Sequence, residues 1–89
     1  MNTFLSASVF VQNTLAHYEI FQRRDRYKAL LILDEANPNL PLEFTFWKEN
    51  GQWKSLQMID EYVLYQFGYI IDNHLLTTRI AELKSFVAA

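Results

Sequence analysis

The first part of the chain alternates apolar and polar positions with a period of two, which is the pattern of a strand with one buried face. The alternating positions are Leu5, Ala7, Val9 and Val11 on one side and Ser6, Ser8, Phe10 and Gln12 on the other. A second set recurs at helical spacing and comprises Phe4, Val11, Leu15 and Tyr18. Residues 1–22 are therefore predicted as strand or helix, with both alternatives open.

A β-hairpin is predicted next, because the segments HYEIFQ and RYKALLIL flank the polar turn RRDR. The run from Ala29 to Leu33 has no polar interruption, so we expect a central strand covered on both faces. The loop from Asp34 to Pro41 holds both prolines and two asparagines, which favour turns, and it separates this strand from the following one.

The segment FTFWKENGQWKSL predicts a second hairpin, because Asn50-Gly51 between two alternating runs favours a two-residue type I′ turn. In that register Glu49 lies opposite Gln52, Lys48 opposite Trp53, and Trp47 opposite Lys54. The two tryptophans then leave the sheet on opposite faces. Trp53 shares a face with Leu42, Phe44 and Phe46 and is predicted to lie in the core, whereas Trp47 falls among polar residues.

The sequence LPLEFTFWKENGQWKSL, from Leu40 to Leu56, resembles the closing hairpin of cystatin-like domains, in which an Asn-Gly turn precedes a Trp-Lys pair. The resemblance covers these seventeen residues only. Domains of that kind usually end at this hairpin, whereas more than thirty residues of helical pattern follow here. No pocket or residue role is therefore carried over from the family.

After Ser55 the period changes to about 3.6, and the segment LQMIDEYVLYQFGYII is predicted to be a helix with two apolar stripes. The aliphatic stripe is Leu56, Ile59, Val63, Phe67 and Ile70, and the other is Met58, Tyr62, Tyr65 and Tyr69. The closing segment TTRIAELKSFVAA carries Leu76, Ile80, Leu83 and Val87 at helical spacing. It is predicted to form a shorter second helix behind a cap at Asp72 or Asn73.

A helix with two apolar faces needs an apolar neighbour on each face, and the sheet covers the first face. The second neighbour is either the closing helix of the same chain or a protein partner, for which tyrosine and methionine are suitable contact residues. Trp47 has the same two interpretations: a surface cation–π pair with Lys54 or cover by another segment, or a contact with a partner. The candidate partner-binding residues are Trp47, Met58, Tyr62, Tyr65 and Tyr69.

Composition narrows the classes of function. The 89 residues predict a single domain spanning 1–89, and a hydrophobic fraction of 51% leaves apolar surface that a second copy of the chain would cover. The net charge of −2 disfavours binding to duplex DNA. The chain has no cysteine, no apolar run of membrane-spanning length and no basic leader, so we expect a cytoplasmic protein that does not bind a membrane.

Candidate chemistry is sparse. His17 and His74 are the only histidines, and neither has a carboxylate and a nucleophile at catalytic spacing. We therefore expect no enzyme activity, no bound metal and no cofactor.

The basic cluster RRDRYK, Arg23–Lys28, has aromatic residues beside it. Loops of this type can bind single-stranded nucleic acid.

Together these patterns predict an α+β domain: a small antiparallel sheet, a meander of three or four strands, with one long and one shorter C-terminal helix packed on one face. The predicted function is that of a non-enzymatic protein–protein interaction module, a small homodimeric adaptor or inhibitor-type protein. The alternatives are a small-ligand-binding domain with an aromatic-lined pocket between helix and sheet, and a weak single-stranded nucleic-acid binder that uses the Arg23–Lys28 loop.

Overall fold

The described part of the chain folds as a five-stranded antiparallel meander followed by one long helix. The structure, a computed structural model, describes residues 3–32 and 39–88, with side chains as far as Lys84. The elements are β1 (Leu5–Val11), β2 (Thr14–Arg23), β3 (Arg26–Leu31), β4 (Glu43–Glu49), β5 (Gln52–Ser55) and α1 (Glu61–Ala88). Each strand pairs with the next one along the chain. The α+β class and the meander are confirmed, whereas the described residues contain five strands rather than three or four, and one helix rather than two.

The first part of the chain is a pair of strands, so the helical alternative is wrong there. Side chains of β1 alternate between buried and exposed along the strand, as the period of two predicts. The chain reverses at Gln12 and Asn13, whose φ angles of 52° and 61° both lie in the left-handed region that a tight hairpin turn requires. Because neither residue is glycine, the turn has a weak sequence signal, and β1 and β2 are easily taken as one segment.

Both predicted hairpins are confirmed. In the first, β2 pairs with β3 around a turn formed by Arg24 and Asp25. In the second, Asn50 and Gly51 have φ angles of 52° and 78°, as a type I′ turn requires. The observed pairs are Glu49 with Gln52, Lys48 with Trp53, and Trp47 with Lys54, which is the predicted register.

The prediction that the Ala29–Leu33 run is covered on both faces is wrong. Leu30 is exposed on the face of the sheet that is turned away from α1, which we call the outer face, and Ile32 just beyond β3 is exposed as well. No described element packs on the outer face. Leu33 and most of the loop from Asp34 to Pro41 lie outside the described residues.

The helix starts later than its pattern predicts. Residues 56–60 precede it, and α1 begins at Glu61 because Asp60 caps the first turn. The backbone N–H of Tyr62 donates to Asp60 Oδ1 at 2.8 Å, which satisfies one of the free amide groups of a helix N-terminus.

The predicted second cap at Asp72 or Asn73 is also wrong, because α1 passes through these residues without a break. The Asp72 carboxylate instead accepts hydrogen bonds from Lys48 Nζ at 3.1 Å and from Trp53 Nε1 at 3.3 Å. The closing segment is therefore a continuation of the same helix. In the described part of the chain, no helix combines the length and the apolar character needed to cross a membrane.

The core lies between α1 and the inner face of the sheet, which curls into a half-barrel. The helix contributes the buried side chains of Val63, Phe67 and Ile71. The ring of Phe67 is the centre of the contact, with centroids 5.1 Å from Phe46, 5.4 Å from Tyr18 and 5.6 Å from Phe44. Aromatic pairs at these separations add stability beyond the area they bury, so this cluster fixes the position of the helix.

The side chain of Gln66 joins α1 to the free edge of β1. The backbone N–H of Phe10 donates to Gln66 Oε1 at 2.8 Å, and Gln66 Nε2 donates to the backbone oxygen of Phe10 at 2.9 Å. The primary amide thus binds both backbone groups of one residue, as a neighbouring strand would.

Trp53 packs on the inner face against the aromatic core, as predicted, with its ring centroid 5.7 Å from Tyr27 and 5.9 Å from Phe46. The indole lies directly on Gly68 of α1. A Cβ at Gly68 would stand 2.5 Å from Trp53 Nε1 and 2.9 Å from Cγ, closer than real Cβ contacts come. The absence of a side chain at Gly68 therefore sets how closely the helix approaches β5.

We expect Gly68→Ala to destabilise the protein although alanine favours helix by about 1 kcal/mol over glycine. The added methyl group collides with the indole, and overpacking of this kind costs about 1–3 kcal/mol. Urea unfolding of both proteins measures the difference. In a Trp53→Leu background the same substitution should be neutral or stabilising, and an equal loss in both backgrounds would show that the indole is not the cause.

Tyr18 is fully buried beneath α1, and its hydroxyl donates to the backbone oxygen of Pro41 at 2.9 Å. Burial raises the pKa of Tyr18 from 10.0 to about 12, because the phenolate would lose its hydration. The unfolded chain releases this proton near pH 10.0, while the folded chain keeps it until about pH 12. Stability is therefore complete below pH 10.0 and falls as the pH rises towards 12.

Alkaline titration tests this assignment. The contribution of Tyr18 is on the order of 2–3 kcal/mol across the interval between the two pKa values. Unfolding free energies measured in urea below and within that interval should show a smaller alkaline loss for Tyr18→Phe than for the wild type. The exposed residue Tyr62 is the matched control, and Tyr62→Phe should retain the wild-type loss. Equal slopes in all three proteins would contradict the prediction.

Candidate interaction surface

The five predicted partner-binding residues do not form one surface. Trp47 lies on the outer face of the sheet, because its neighbour Phe46 points into the core. Tyr62, Tyr65 and Tyr69 lie on α1, on the side away from the sheet. Together with the exposed Met58, which precedes the helix, we call them the tyrosine face. The thickness of the sheet and the helix separates Trp47 from this face.

Trp47 is half-buried and already has partners within the chain. The guanidinium of Arg26 lies 4.1 Å from the ring centroid, and the indole Nε1 donates to Glu49 Oε2 at 3.4 Å. A cation–π pair was one interpretation of the sequence, but with Lys54 as the cation. Arg26 reaches the ring instead because β3 pairs with β4 and places Arg26 directly opposite Trp47. The sequence could not give this register, since a loop of several residues joins the two strands.

The tyrosine face is exposed. Tyr62, Tyr65 and Tyr69 have 62%, 66% and 60% of their surface open, and Met58 is fully exposed just before the helix. The rings of Tyr65 and Tyr69 stack with their centroids 6.3 Å apart and their planes at 23°. Two aromatic rings are thus arranged side by side on the helix surface, with most of their area in solvent.

Helix geometry explains why these residues face outward. Successive residues turn by about 100°, so side chains three and four positions apart share a face. Val63, Phe67 and Ile71 occupy the face on the sheet, and Tyr62 and Tyr69 fall on the other side. The predicted aliphatic stripe is right for Val63 and Phe67, which are buried, and for Ile59 and Ile70, which are partly buried against the core. It is wrong for Leu56, which is exposed and precedes the helix, and the fully buried Ile71 was not part of it.

The last part of α1 is free of the sheet. Ile71 is the last buried residue, and every residue from Asp72 to Lys84 is exposed. The described contacts to the body of the domain end with His74, whose ring lies 5.0 Å from Phe4. We call residues 73–88 the arm. Its exposed apolar side chains are Leu75, Leu76, Ile80 and Leu83.

The arm overturns two expectations. The closing segment does not form a second helix packed on the sheet, because it continues α1 without a break. It does not cover the tyrosine face of its own chain, whose tyrosines are exposed. The sequence pattern identified Leu76, Ile80 and Leu83 as an apolar stripe, but it did not predict that these residues are exposed on the surface. The signal that could have found them is the lack of a glycine or proline between Ile71 and Leu76, where a chain reversal would be needed.

A second surface lies on the outer face beside the β2–β3 hairpin. A shallow depression of about 510 Å³ is lined by Phe21, Arg23, Arg26, Tyr27, Lys28, Leu30 and Thr45. Phe21 lies opposite Lys28 in the sheet, and Arg23 lies opposite Arg26. Cationic side chains and an aromatic ring therefore meet on one surface, next to the Arg23–Lys28 loop that the sequence singled out. Lys28 also pairs with Glu43 at 3.4 Å.

The space between helix and sheet, where an aromatic-lined pocket was the alternative, is occupied by packed rings. A smaller cavity of about 230 Å³ lies at the start of the helix, next to Met58 and Phe44.

The two histidines make different contacts. His17 Nδ1 lies 2.7 Å from Ser8 Oγ on the outer face, whereas the ring of His74 packs on Phe4. Among residues 3–32 and 39–88, no three histidine, aspartate or glutamate side chains are grouped as metal ligands would be.

Comparison of the chain with family models, curated proteins and solved structures finds no match. The likeness of the second hairpin to cystatin-like domains is therefore not supported beyond those residues. What the surfaces of this protein bind has to be inferred from their own side chains.

Proposed function

We propose that the protein is a cytoplasmic, non-enzymatic protein–protein interaction module, a small homodimeric adaptor or inhibitor-type protein that binds through its tyrosine face. The observation that carries this proposal is the exposure of Tyr62, Tyr65 and Tyr69 on a helix whose opposite side already fills the core. These tyrosines are not needed to hold the helix on the sheet.

The composition of this face supports a protein partner. Tyrosine combines a large rigid ring with a polar hydroxyl, so it contributes much contact area for little loss of conformational entropy, and it is enriched at interfaces. Methionine adapts its shape to a partner. The described charged residues of α1 near this face are at its margins, Glu61 at the start and Asp72 towards the arm, which leaves an apolar centre between them.

Charge placed on the tyrosine face tests the proposal. We expect Tyr62→Glu combined with Tyr69→Glu to weaken association at least about 100-fold, since an interface would have to bury two carboxylates without donors. The fold should survive because both side chains lie outside the core. Sedimentation should give the mass of one 10.6 kDa chain for the variant and of two for the wild type, with equal helical circular dichroism.

The matched control is Tyr62→Phe combined with Tyr69→Phe, which keeps the rings and removes only the hydroxyls. It should associate nearly as the wild type does. A glutamate variant with unchanged mass, or one that loses its helical signal, would contradict the assignment of this face.

A second candidate function is weak binding of single-stranded nucleic acid at the outer-face depression. Arg23, Arg26 and Lys28 can meet phosphates, and the exposed part of the Phe21 ring can stack on a base. The nearby Glu43 and Asp25 reduce the positive field, so this function ranks below the first.

Fluorescence anisotropy with labelled oligo(dT) and oligo(rU) tests the second candidate. Binding should weaken steeply with salt, and Arg23→Glu should reduce affinity at least about tenfold because it removes one phosphate contact and adds repulsion. Arg79→Glu, on the arm, is the control and should leave affinity unchanged. Binding that is absent at low salt, or equally reduced by both variants, would exclude the depression as the site.

A further inference from the structure

Six of the seven exposed large apolar residues described in α1 form one stripe from the body to the arm, and Leu75 lies outside it. Tyr62, Tyr69, Leu76 and Leu83 follow one another at intervals of seven residues, and Tyr65 and Ile80 lie beside them. At about 100° per residue all six fall within about 60° of one another around the helix axis. We call these six residues the stripe. A seven-residue repeat of apolar side chains is the pattern of helices that pack against another helix along their length.

This inference rests on the proposed function and names the partner. We propose that the stripe is covered by α1 of a second copy, packed antiparallel, with the two-fold axis passing between Asp72 and Asn73. Each arm then lies along the tyrosine face of the other chain. The tyrosine face and the arm are two halves of one self-complementary surface, as a two-fold dimer requires.

The order of residues in the stripe supports this register. Antiparallel pairing about that axis places Tyr62 opposite Leu83, Tyr65 opposite Ile80, and Tyr69 opposite Leu76 in the second copy. Every exposed apolar residue of the stripe thus meets another one, and each large ring meets an aliphatic side chain. No residue of the stripe is left opposite a charge.

The charge nearest the two-fold axis is compatible with this register. Asp72 lies at the margin of the stripe and comes beside Asp72 of the second copy. Lys48 of the same chain already neutralises Asp72 at 3.1 Å, which reduces the repulsion between the two carboxylates.

The shape of the molecule allows this packing. The sheet lies on the side of α1 opposite the tyrosine face, so neither sheet blocks the approach of the second helix. The protein measures 50 × 29 × 25 Å, and α1, with 28 residues at about 1.5 Å each, is about 42 Å long. If each of the six side chains buries on the order of 100 Å², the two copies together bury about 1,200 Å², the lower end of the range for stable interfaces.

Disulfide cross-linking tests the register, and the chain suits it because it contains no cysteine. Tyr62→Cys and Leu83→Cys are made as separate variants, mixed to allow exchange, and oxidised. The mixture should give a cross-linked dimer while neither variant does so alone, because a disulfide needs Cα atoms within about 7 Å. The control mixture is Tyr62→Cys with Leu76→Cys, which is displaced by about 10 Å along the axis and should not cross-link.

A second pair of variants tests the arm without disturbing the core. Leu76→Glu combined with Leu83→Glu should reduce the sedimentation mass from two chains to one and leave the unfolding transition of the domain in place. Thr78→Glu combined with Ala81→Glu adds the same charge on the opposite side of the arm and should keep the mass of two chains. Equal masses for the two double variants would overturn the proposal.

The outcomes separate this inference from the proposed function. A dimer in which Tyr62→Cys cross-links to itself is parallel, which overturns the register and leaves the interaction module standing. If the glutamates at Tyr62 and Tyr69 break the dimer but those at Leu76 and Leu83 do not, the antiparallel register is likewise overturned and the interaction module stands. A wild-type protein with the mass of one chain at all concentrations overturns both.

Discussion

The contact on which the structure depends is the ring of Phe67 against the inner face of the curved sheet. A half-barrel sheet has an open side, and its inner aromatic residues would lie in water if nothing closed it. Phe67 reaches Tyr18, Phe44 and Phe46 at once, so one residue of the helix joins β2 and β4. Once this residue faces the sheet, the rotation of α1 about its axis is fixed, and so is the set of side chains that it turns towards solvent.

Two consequences follow for the surface. The helix is longer than the sheet it covers, so contacts with the core cease at Ile71 while the helix continues. A small domain also cannot bury all of its apolar residues, because its surface is large relative to its volume. Six of the fourteen exposed large apolar residues in the described part of the chain lie along the outer side of α1. A concentration of apolar side chains at one place is what distinguishes a binding surface from ordinary exposed residues.

The parts of the fold that were predictable from sequence are those that local interactions decide. The Asn50-Gly51 turn fixed the register of β4 and β5, and with it the inward position of Trp53, since only a few residue types tolerate two successive positive φ angles. The turn at Gln12 and Asn13 has the same geometry without a glycine, and β1 and β2 were not separated. The pairing of β3 with β4 could not be predicted from local patterns, because a loop of several residues separates the two strands. For this reason Arg26 was not identified as the residue over Trp47.

The residues of the tyrosine face could be predicted from the sequence, but the extent of the exposed surface along α1 could not. The spacing of Tyr62, Tyr65 and Tyr69 located them on one side of a helix, and their exposure agrees with that. Whether the closing segment turned back over them depended on a single point in the chain, around Asp72. That residue has a side chain suited to capping a helix, yet Lys48 and Trp53, distant in sequence, bind its carboxylate. Tertiary contacts of this kind leave no local pattern.

The pairing of Gln66 with Phe10 bears on how the protein avoids uncontrolled assembly. A strand at the edge of a sheet presents unpaired backbone groups, to which a strand of another molecule can add without limit, as in amyloid. At Phe10 both groups are already bound by a side-chain amide, so an added strand could not pair with β1 at that residue. A helix pair on a two-fold axis, by contrast, closes after two molecules. At the β1 edge Gln66 thereby works against a growing fibre and in favour of a finite complex.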